Sequence, residues 1–153
     1  MVWAGITATA KTPLFFIENG TKINQVLYRN LLNDHVLPWA QSTYGNENWV
    51  FQQDSAPAHT AKLTIGWIKE NFPFFISPNE WPPNSPDLIP MDFSIWSILE
   101  QKACATSHKS VNSLKLALKK AWDEIDESTL KKIVDQFPMH LKLCFKAIGG
   151  YVE

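Results

Sequence analysis

The sequence predicts an α/β fold in which strands and helices alternate and helices form the C-terminal end. Three observations support this prediction. β-Favouring runs alternate with helical periodicity over the first half of the chain, and helical periodicity continues alone over the second half. The length of 153 residues suits one domain. Hydrophobic residues make up 45% and charged residues 19%, which is enough for a core and excludes a disordered chain.

The first half of the chain begins with a predicted β-hairpin. Asn19-Gly20 is a turn signal after the second strand of this hairpin, and Pro38 marks the expected end of the first helix. In order, the predicted elements are strand 2–7, strand 13–18, helix 21–37, a polar segment 41–48, a buried-looking strand 49–54, a loop 55–60, helix 61–72 and a short buried strand 74–76.

The second half begins with a proline-rich segment. Residues 78–90 contain five prolines in thirteen residues, which excludes regular structure and predicts an ordered loop. Ser110 is a typical N-cap residue. The helices predicted here are residues 91–103, a helix that begins after Ser110, and a last stretch from Leu130 to Ile148 that is broken at Pro138 and ended by Gly149-Gly150.

Charge and cysteine content exclude several classes of protein. The net charge is −1, and Arg29 is the only arginine, so composition alone does not indicate a nucleic-acid-binding protein. Cys104 and Cys144 have no metal-binding spacing and are expected to be free thiols. The sequence has no apolar run of about 18 residues, so we expect no membrane span and no membrane partner.

Two aspartates are the best candidates for chemistry. Asp54 is expected at the carboxyl end of a strand, where open α/β sheets place their sites, although it could instead form a turn by accepting a hydrogen bond near Ala56. Asp92 follows Pro90 in the first turn of a helix, where capping alone is the alternative. Carboxylates suit Mg²⁺, so a site for metal-assisted phosphoryl transfer is the sharper hypothesis.

Two long motifs resemble a known family. The strings WVFQQDSAPAHTA (49–61) and EWPPNSPDLIPMDFSIWSILE (80–100) are similar to the second and third acidic motifs of mariner-type transposases, in the Tc/mariner superfamily of DDE/D transposases. The opening MVWAGI and the tail 142–153 also resemble this family, in the subgroup with 37 residues between its last two aspartates. The resemblance therefore covers nearly the whole chain, as a catalytic domain.

The resemblance implies an RNase H-like fold and a metal-dependent activity. By this likeness Asp54 and Asp92 are catalytic carboxylates that bind Mg²⁺ or Mn²⁺ and lie close enough to share an ion. The implied reaction is cleavage and strand transfer of transposon DNA. The implied partners are transposon ends, target DNA and a second copy of the chain in a homodimer, and the implied location is the nucleus.

The sequence also departs from the family pattern. The family's first catalytic aspartate and its helix-turn-helix region have no match here. We therefore expect residues 1–153 to form one catalytic domain that is incomplete at its N-terminus and lacks the first strand of the fold. This leaves activity open, and the alternative is an inactive remnant that only binds nucleic acid or protein. The hairpin 2–18 is then expected to be loosely attached or to pair with strand 49–54.

Other polar and aromatic residues have competing interpretations. His59 could contact metal-bound water, DNA phosphate or the neighbouring loop. Asp87 is interpreted as a residue that orders its loop, and Trp96 as core, whereas the role of Trp81 is left open. Five lysines could bind phosphates, although an exposed amphipathic face is the favoured reading. They are Lys115, Lys119, Lys120, Lys131 and Lys132.

Overall fold

The computed structural model describes residues 1–82 and 85–146, which fold into two compact units. The first unit contains Met1–Ile17 and the chain from Pro86 onward, and the second contains Glu18–Ser85. A single domain over residues 1–153 stays a prediction. The predicted helix stop at Gly149-Gly150 lies outside the described residues.

The elements follow the predicted order, with shorter strands and additional helical turns. In chain order they are β1 (Val2–Trp3), β2 (Phe15–Phe16), α1 (Gln25–Leu31), a π-helical turn (Leu32–Val36), α2 (Leu37–Tyr44), β3 (Val50–Phe51), α3 (Pro57–Thr60), α4 (Lys62–Asn71), β4 (Phe74–Phe75), a 3₁₀ turn (Pro86–Leu88), a second π-helical turn (Met91–Ile95), α5 (Trp96–Ala103), α6 (Val111–Asp123), α7 (Glu127–Asp135) and α8 (Phe137–Lys146).

The predicted hairpin is present in the first unit. Strands β1 and β2 are antiparallel, with Val2 opposite Phe16 and Trp3 opposite Phe15. Residues 49–54 belong to the second unit, so their predicted pairing with this hairpin stays a prediction. In the described part of the chain β3 pairs with β4.

The hairpin is fastened to the C-terminal end of α6. The Trp122 indole N–H donates to the backbone oxygen of Thr12 at 2.8 Å, and the Lys11 ammonium donates to the backbone oxygens of Trp122 and Ile125. The last carbonyls of a helix have no partner within the helix, and they carry the negative end of its dipole. The Lys11 ammonium donates to these carbonyls and places a positive charge at the negative end of the dipole. The contacts of Lys11 and Trp122 contradict the expected loose attachment of the hairpin.

A hydrophobic core joins the hairpin to the helices of the first unit. Ser110 begins α6 with a capping box, in which its hydroxyl and that of Ser113 each accept from the other residue's backbone N–H. The last helical stretch is broken at Gln136, two residues before the predicted position, because Pro138 lies in the first turn of α8, where its missing N–H is tolerated. The buried core residues are Ala4, Leu14, Ile95, Leu99, Ala103, Ala121, Trp122, Ile125, Leu130 and Ile133.

The second unit contains a small parallel sheet. Val50 of β3 lies opposite Phe74 of β4, and Phe51 lies opposite Phe75. The predicted burial of these strands is wrong at alternate positions, because Val50 is 62% and Phe74 53% exposed. Side chains alternate between the faces of a strand, so only one face of this sheet is covered. On the covered face the rings of Phe51 and Phe72 lie 4.9 Å apart.

The first helical region is longer than predicted and lies further along the chain. Asn24 caps α1, so the helix begins at Gln25, and it continues past Pro38 to Tyr44 instead of ending at residue 37. Proline lacks an N–H and crowds the carbonyl four residues earlier. The π-helical turn before Pro38 uses a longer bond from Leu37 N–H to Leu32 O, which widens the backbone where the proline ring needs room.

The predicted loop 55–60 contains the short helix α3. Pro57 is its first residue, a position where the missing N–H costs nothing. The helix is joined to α4 by the Thr64 hydroxyl, which donates to the backbone oxygen of Ala58 at 2.8 Å. Thr64 and Ile68 are fully buried, so they define the inner face of α4.

The cysteines and the hydrophobicity of the helices are described for residues 1–82 and 85–146. Cys104 and Cys144 are free cysteines, as predicted. Among residues 1–82 and 85–146, no helix has both the length and the hydrophobicity needed to cross a membrane.

The attachment of the hairpin can be tested at Lys11. Replacing Lys11 by Met keeps much of the apolar stem but leaves the carbonyls of α6 without their charged donor. We expect the free energy of unfolding to fall by about 1–3 kcal/mol, as measured by urea denaturation. The control is Lys109→Met, since Lys109 is exposed. An equal loss in both variants would contradict the role given to Lys11.

Candidate active site

Asp54 lies in a loop three residues beyond β3. One carboxylate oxygen, Oδ1, accepts a hydrogen bond from the backbone N–H of Ala56 at 3.0 Å. This is the turn that the sequence offered as the plain alternative for Asp54. The side chain is nevertheless 47% exposed, and its second oxygen, Oδ2, accepts no hydrogen bond from the described residues. The carboxylate is therefore held by one oxygen, and the other is left for a ligand.

His59 holds the same carboxylate from α3. Its Nδ1 is hydrogen-bonded to Asp54 Oδ1, which requires the proton to be on Nδ1 because the carboxylate can only accept. The His59 ring stacks on the ring of Tyr28, with centroids 3.9 Å apart and planes inclined by 29°. The interpretation of His59 as a contact of the neighbouring loop is therefore confirmed.

Tyr28 and Gln53 complete a closed network around this loop. The Tyr28 hydroxyl donates to Gln53 Oε1 at 2.9 Å, and Gln53 Nε2 donates to the backbone oxygen of His59 at 3.1 Å. Tyr28 is 2% exposed, so α1 supplies a buried support beneath His59. We use the name Asp54 network for Tyr28, Gln53, Asp54 and His59.

Sequence analysis missed Tyr28 and Gln53. Gln53 is polar and adjacent to Asp54, and a buried tyrosine needs a partner for its hydroxyl, but neither fact identifies the other residue. Their meeting depends on how α1 packs against the loop after β3. Only the tertiary structure contains that information.

The network favours the ionised form of Asp54. The pKa of the Asp54 carboxyl is lowered mainly by the hydrogen bond from His59, and partial burial opposes this shift. The hydrogen bond from the Ala56 backbone N–H lowers the pKa further. Asp54 is therefore a carboxylate at neutral pH, which is the form that a metal ion requires.

Asp92 occupies the predicted place at the start of a helix. It is exposed and is the second residue of the π-helical turn Met91–Ile95, which follows Pro90. Its backbone N–H donates to the carbonyl of Ile89 at 2.8 Å. The next residue, Phe93, stacks on His140 of α8, with ring centroids 4.2 Å apart, so a ring pair holds this turn.

Asp54 and Asp92 belong to different units, the second and the first respectively. Each carboxylate is described within its own unit, and their closeness stays a prediction. No group of three or more His, Cys, Asp or Glu side chains suited to a metal ion occurs in residues 1–82 and 85–146.

The remaining candidates have structural positions. Asp87 lies in the 3₁₀ turn Pro86–Leu88, which agrees with a role in ordering its loop. Trp81 is only 8% exposed, so it presents no open ring for stacking on a base. Trp96 packs against the core of the first unit, as predicted.

Known proteins that are similar in sequence to this chain are transposases, the class of protein that its two motifs resemble. The chain is 30% identical over 149 residues to the Tcb1 transposase of a transposable element of Caenorhabditis briggsae, and 29% identical to the Tc1 transposase of Caenorhabditis elegans. The chain is homologous to the Tc1/mariner transposases. The match covers 97% of the chain but 52% of each relative, so the chain spans about half their length. No protein-family model matches the chain.

Solved structures of a mariner transposase share the fold. The catalytic domain of Mos1 mariner transposase superposes with a TM-score of 0.83 at 20% identity, over 99% of this chain and 74% of that one. The Mos1 paired-end complex with the left transposon end gives a TM-score of 0.85 and covers 99% of this chain and 44% of that one. The predicted RNase H-like α/β fold is thereby confirmed.

The Asp54 network can be tested by removing the His59 ring. In His59→Ala we expect the pKa of the Asp54 carboxyl to rise towards its ordinary value, because the main cause of its lowering is lost. A lowered pKa contributes stability above the ordinary pKa of Asp, and this contribution is lost as pH falls through the lowered value. NMR titration of the side-chain carboxyl measures the shift.

The matched control for that titration is His35→Ala. His35 is an exposed histidine of the first π-helical turn and is not one of the four residues that define the Asp54 network. It should leave the Asp54 titration unchanged. An unshifted Asp54 in His59→Ala would show that the hydrogen bond does not form in solution.

Proposed function

We propose that the chain is the catalytic domain of a DNA transposase, which cleaves and joins DNA strands by phosphoryl transfer. The observation that carries this proposal is the 30% identity to a transposase over 149 of 153 residues, a span that contains Asp54 and Asp92. The relatives and solved structures described above are all transposases. This favours a catalytic function over that of a remnant that only binds nucleic acid or protein.

Asp54 and Asp92 are proposed to hold Mg²⁺ or Mn²⁺ jointly. Both ions prefer carboxylate oxygens, and Mos1 catalytic-domain structures were solved with each of them. The residues present suit such an ion: Asp54 is ionised and offers Oδ2, and Asp92 is exposed at a helix start. A bound divalent ion supplies polarisation of a phosphodiester and stabilises charge that develops on its oxygens.

The protein's own contribution is to fix the carboxylate before any ligand arrives. His59 and the Ala56 backbone N–H hold Oδ1, and the buried Tyr28 holds His59. Asp54 therefore has little rotational freedom to lose when its other oxygen is engaged. Preorganisation of this kind lowers the cost of binding and of reaching the reactive geometry.

The proposal extends to partners and location. DNA is the proposed substrate, and a second copy of the chain is a proposed partner, because similar Mos1 structures are paired-end complexes. A protein that acts on transposons in chromosomal DNA would work in the nucleus, which is the location we propose.

The metal site is best tested with Mn²⁺, which broadens NMR signals of nearby residues. We expect Mn²⁺ to broaden amide signals around both Asp54 and Asp92 at the same concentration. Either Asp54→Asn or Asp92→Asn should weaken Mn²⁺ binding by at least about tenfold. Mutation of a residue that only hydrogen-bonds to a metal ligand already lowers metal affinity by about 10–100-fold, and loss of a ligand should cost at least as much. Each variant should reduce the broadening at both places.

Asp87→Asn is the matched control, because it removes an equal charge from a neighbouring turn. It should leave Mn²⁺ binding close to that of the wild type. Broadening around only one of the two aspartates, or an equal loss in Asp87→Asn, would refute a shared site.

A further inference from the structure

Two lysines of α6 converge on one aromatic ring. The ammonium groups of Lys115 and Lys119 lie 5.4 Å and 5.7 Å from the centroid of the Phe16 ring, which belongs to β2. The two residues are four apart in the helix, so they share a face. The ring attracts both cations and holds them near each other at the surface of the first unit.

Neighbouring lysines are matched with acidic groups. Lys102 forms an ion pair with Glu124 at 3.0 Å. The pKa of the Glu124 carboxyl is lowered first by this hydrogen bond and then also by the charge of Lys120. The pKa of the Asp126 carboxyl is lowered mainly by hydrogen bonds from Thr129 and further by the charge of Lys132.

Lys115 and Lys119 differ from these lysines. Neither ammonium forms an ion pair with a carboxylate in the described part of the chain. Like charges four residues apart on a helix repel each other. The pair is therefore a local excess of positive charge that no carboxylate of residues 1–82 and 85–146 neutralises by an ion pair, although the whole chain has a net charge of −1.

We propose that Lys115 and Lys119 bind phosphates of the DNA backbone. An ammonium group acts on phosphate as a point charge and does not need the fixed geometry of an arginine fork. Successive phosphates along a strand offer a row of charges that two neighbouring cations can meet together. This inference rests on the proposed function, because that function supplies DNA as the ligand, and it adds a contact that lies outside the two carboxylate motifs.

The test measures binding of the 153-residue chain to a fluorescein-labelled DNA duplex of arbitrary sequence, in EDTA, over a series of KCl concentrations. In Lys115→Gln/Lys119→Gln we expect weaker binding and a flatter plot of log K against log salt. The slope should fall by about 1.8, since each lost phosphate contact removes about 0.9. Lys115→Arg/Lys119→Arg should restore the wild-type slope.

Lys120→Gln/Lys132→Gln is the matched control, because it removes the same formal charge from lysines that lie near acidic groups. It should change the slope much less than the Lys115 and Lys119 substitutions. Circular dichroism and tryptophan fluorescence establish that every variant is folded.

Three results would overturn the inference. They are an equal flattening in both glutamine variants, a wild-type slope in Lys115→Gln/Lys119→Gln, and no binding of duplex by the wild type at the lowest salt. The proposed function is judged separately by Mn²⁺ broadening around Asp54 and Asp92, which the lysine substitutions should leave unchanged. The two proposals can therefore fail independently.

Discussion

The need to satisfy backbone polar groups is the constraint on which both units depend. Each sheet in the described chain is a ladder of only two residue pairs, so backbone N–H and C=O groups beside the strands and at helix ends need other partners. In the first unit α6 helps to meet this need, because Trp122 donates to Thr12 and Lys11 caps the helix end. In the second unit Gln53 donates to the carbonyl of His59. Side chains thus satisfy backbone groups that lie outside the two short ladders.

The same constraint shapes the candidate site. The loop after β3 carries the carboxylate that the proposed chemistry needs, and the strand before it is only two residues long. Asp54 uses its two oxygens differently: Oδ1 closes the turn with Ala56 and His59, and Oδ2 has no hydrogen bond from the described residues. The turn-forming and ligand-binding interpretations of Asp54 are therefore compatible. Tyr28 supports the arrangement from below, so the stability of α1 and the geometry of the site are coupled.

Sequence reasoning succeeded where the signal is local. The N-cap at Ser110, the hairpin ahead of Asn19-Gly20 and the helix start that carries Asp92 each depend on neighbouring residues alone, and all three are present. It failed where packing decides. Exposure of Val50 depends on which strands lie beside it, and continuation of a helix through Pro38 depends on a π-helical turn that no spacing rule indicates. Motif likeness identified Asp54, but the network around it required the fold.

The net charge of the chain does not show where its charged residues lie in the fold. A value of −1 averages over the chain, whereas binding responds to charge within about 10 Å at ordinary salt. Acidic residues gather near the junction of α6 and α7, where Glu124 and Asp126 face their own lysines. The acidic residue of α6 is Asp123 at its end, so the part of α6 that carries Lys115 and Lys119 has no carboxylate of its own. A chain with a net charge near zero can therefore present a local cationic surface, because its acidic residues lie beside other lysines.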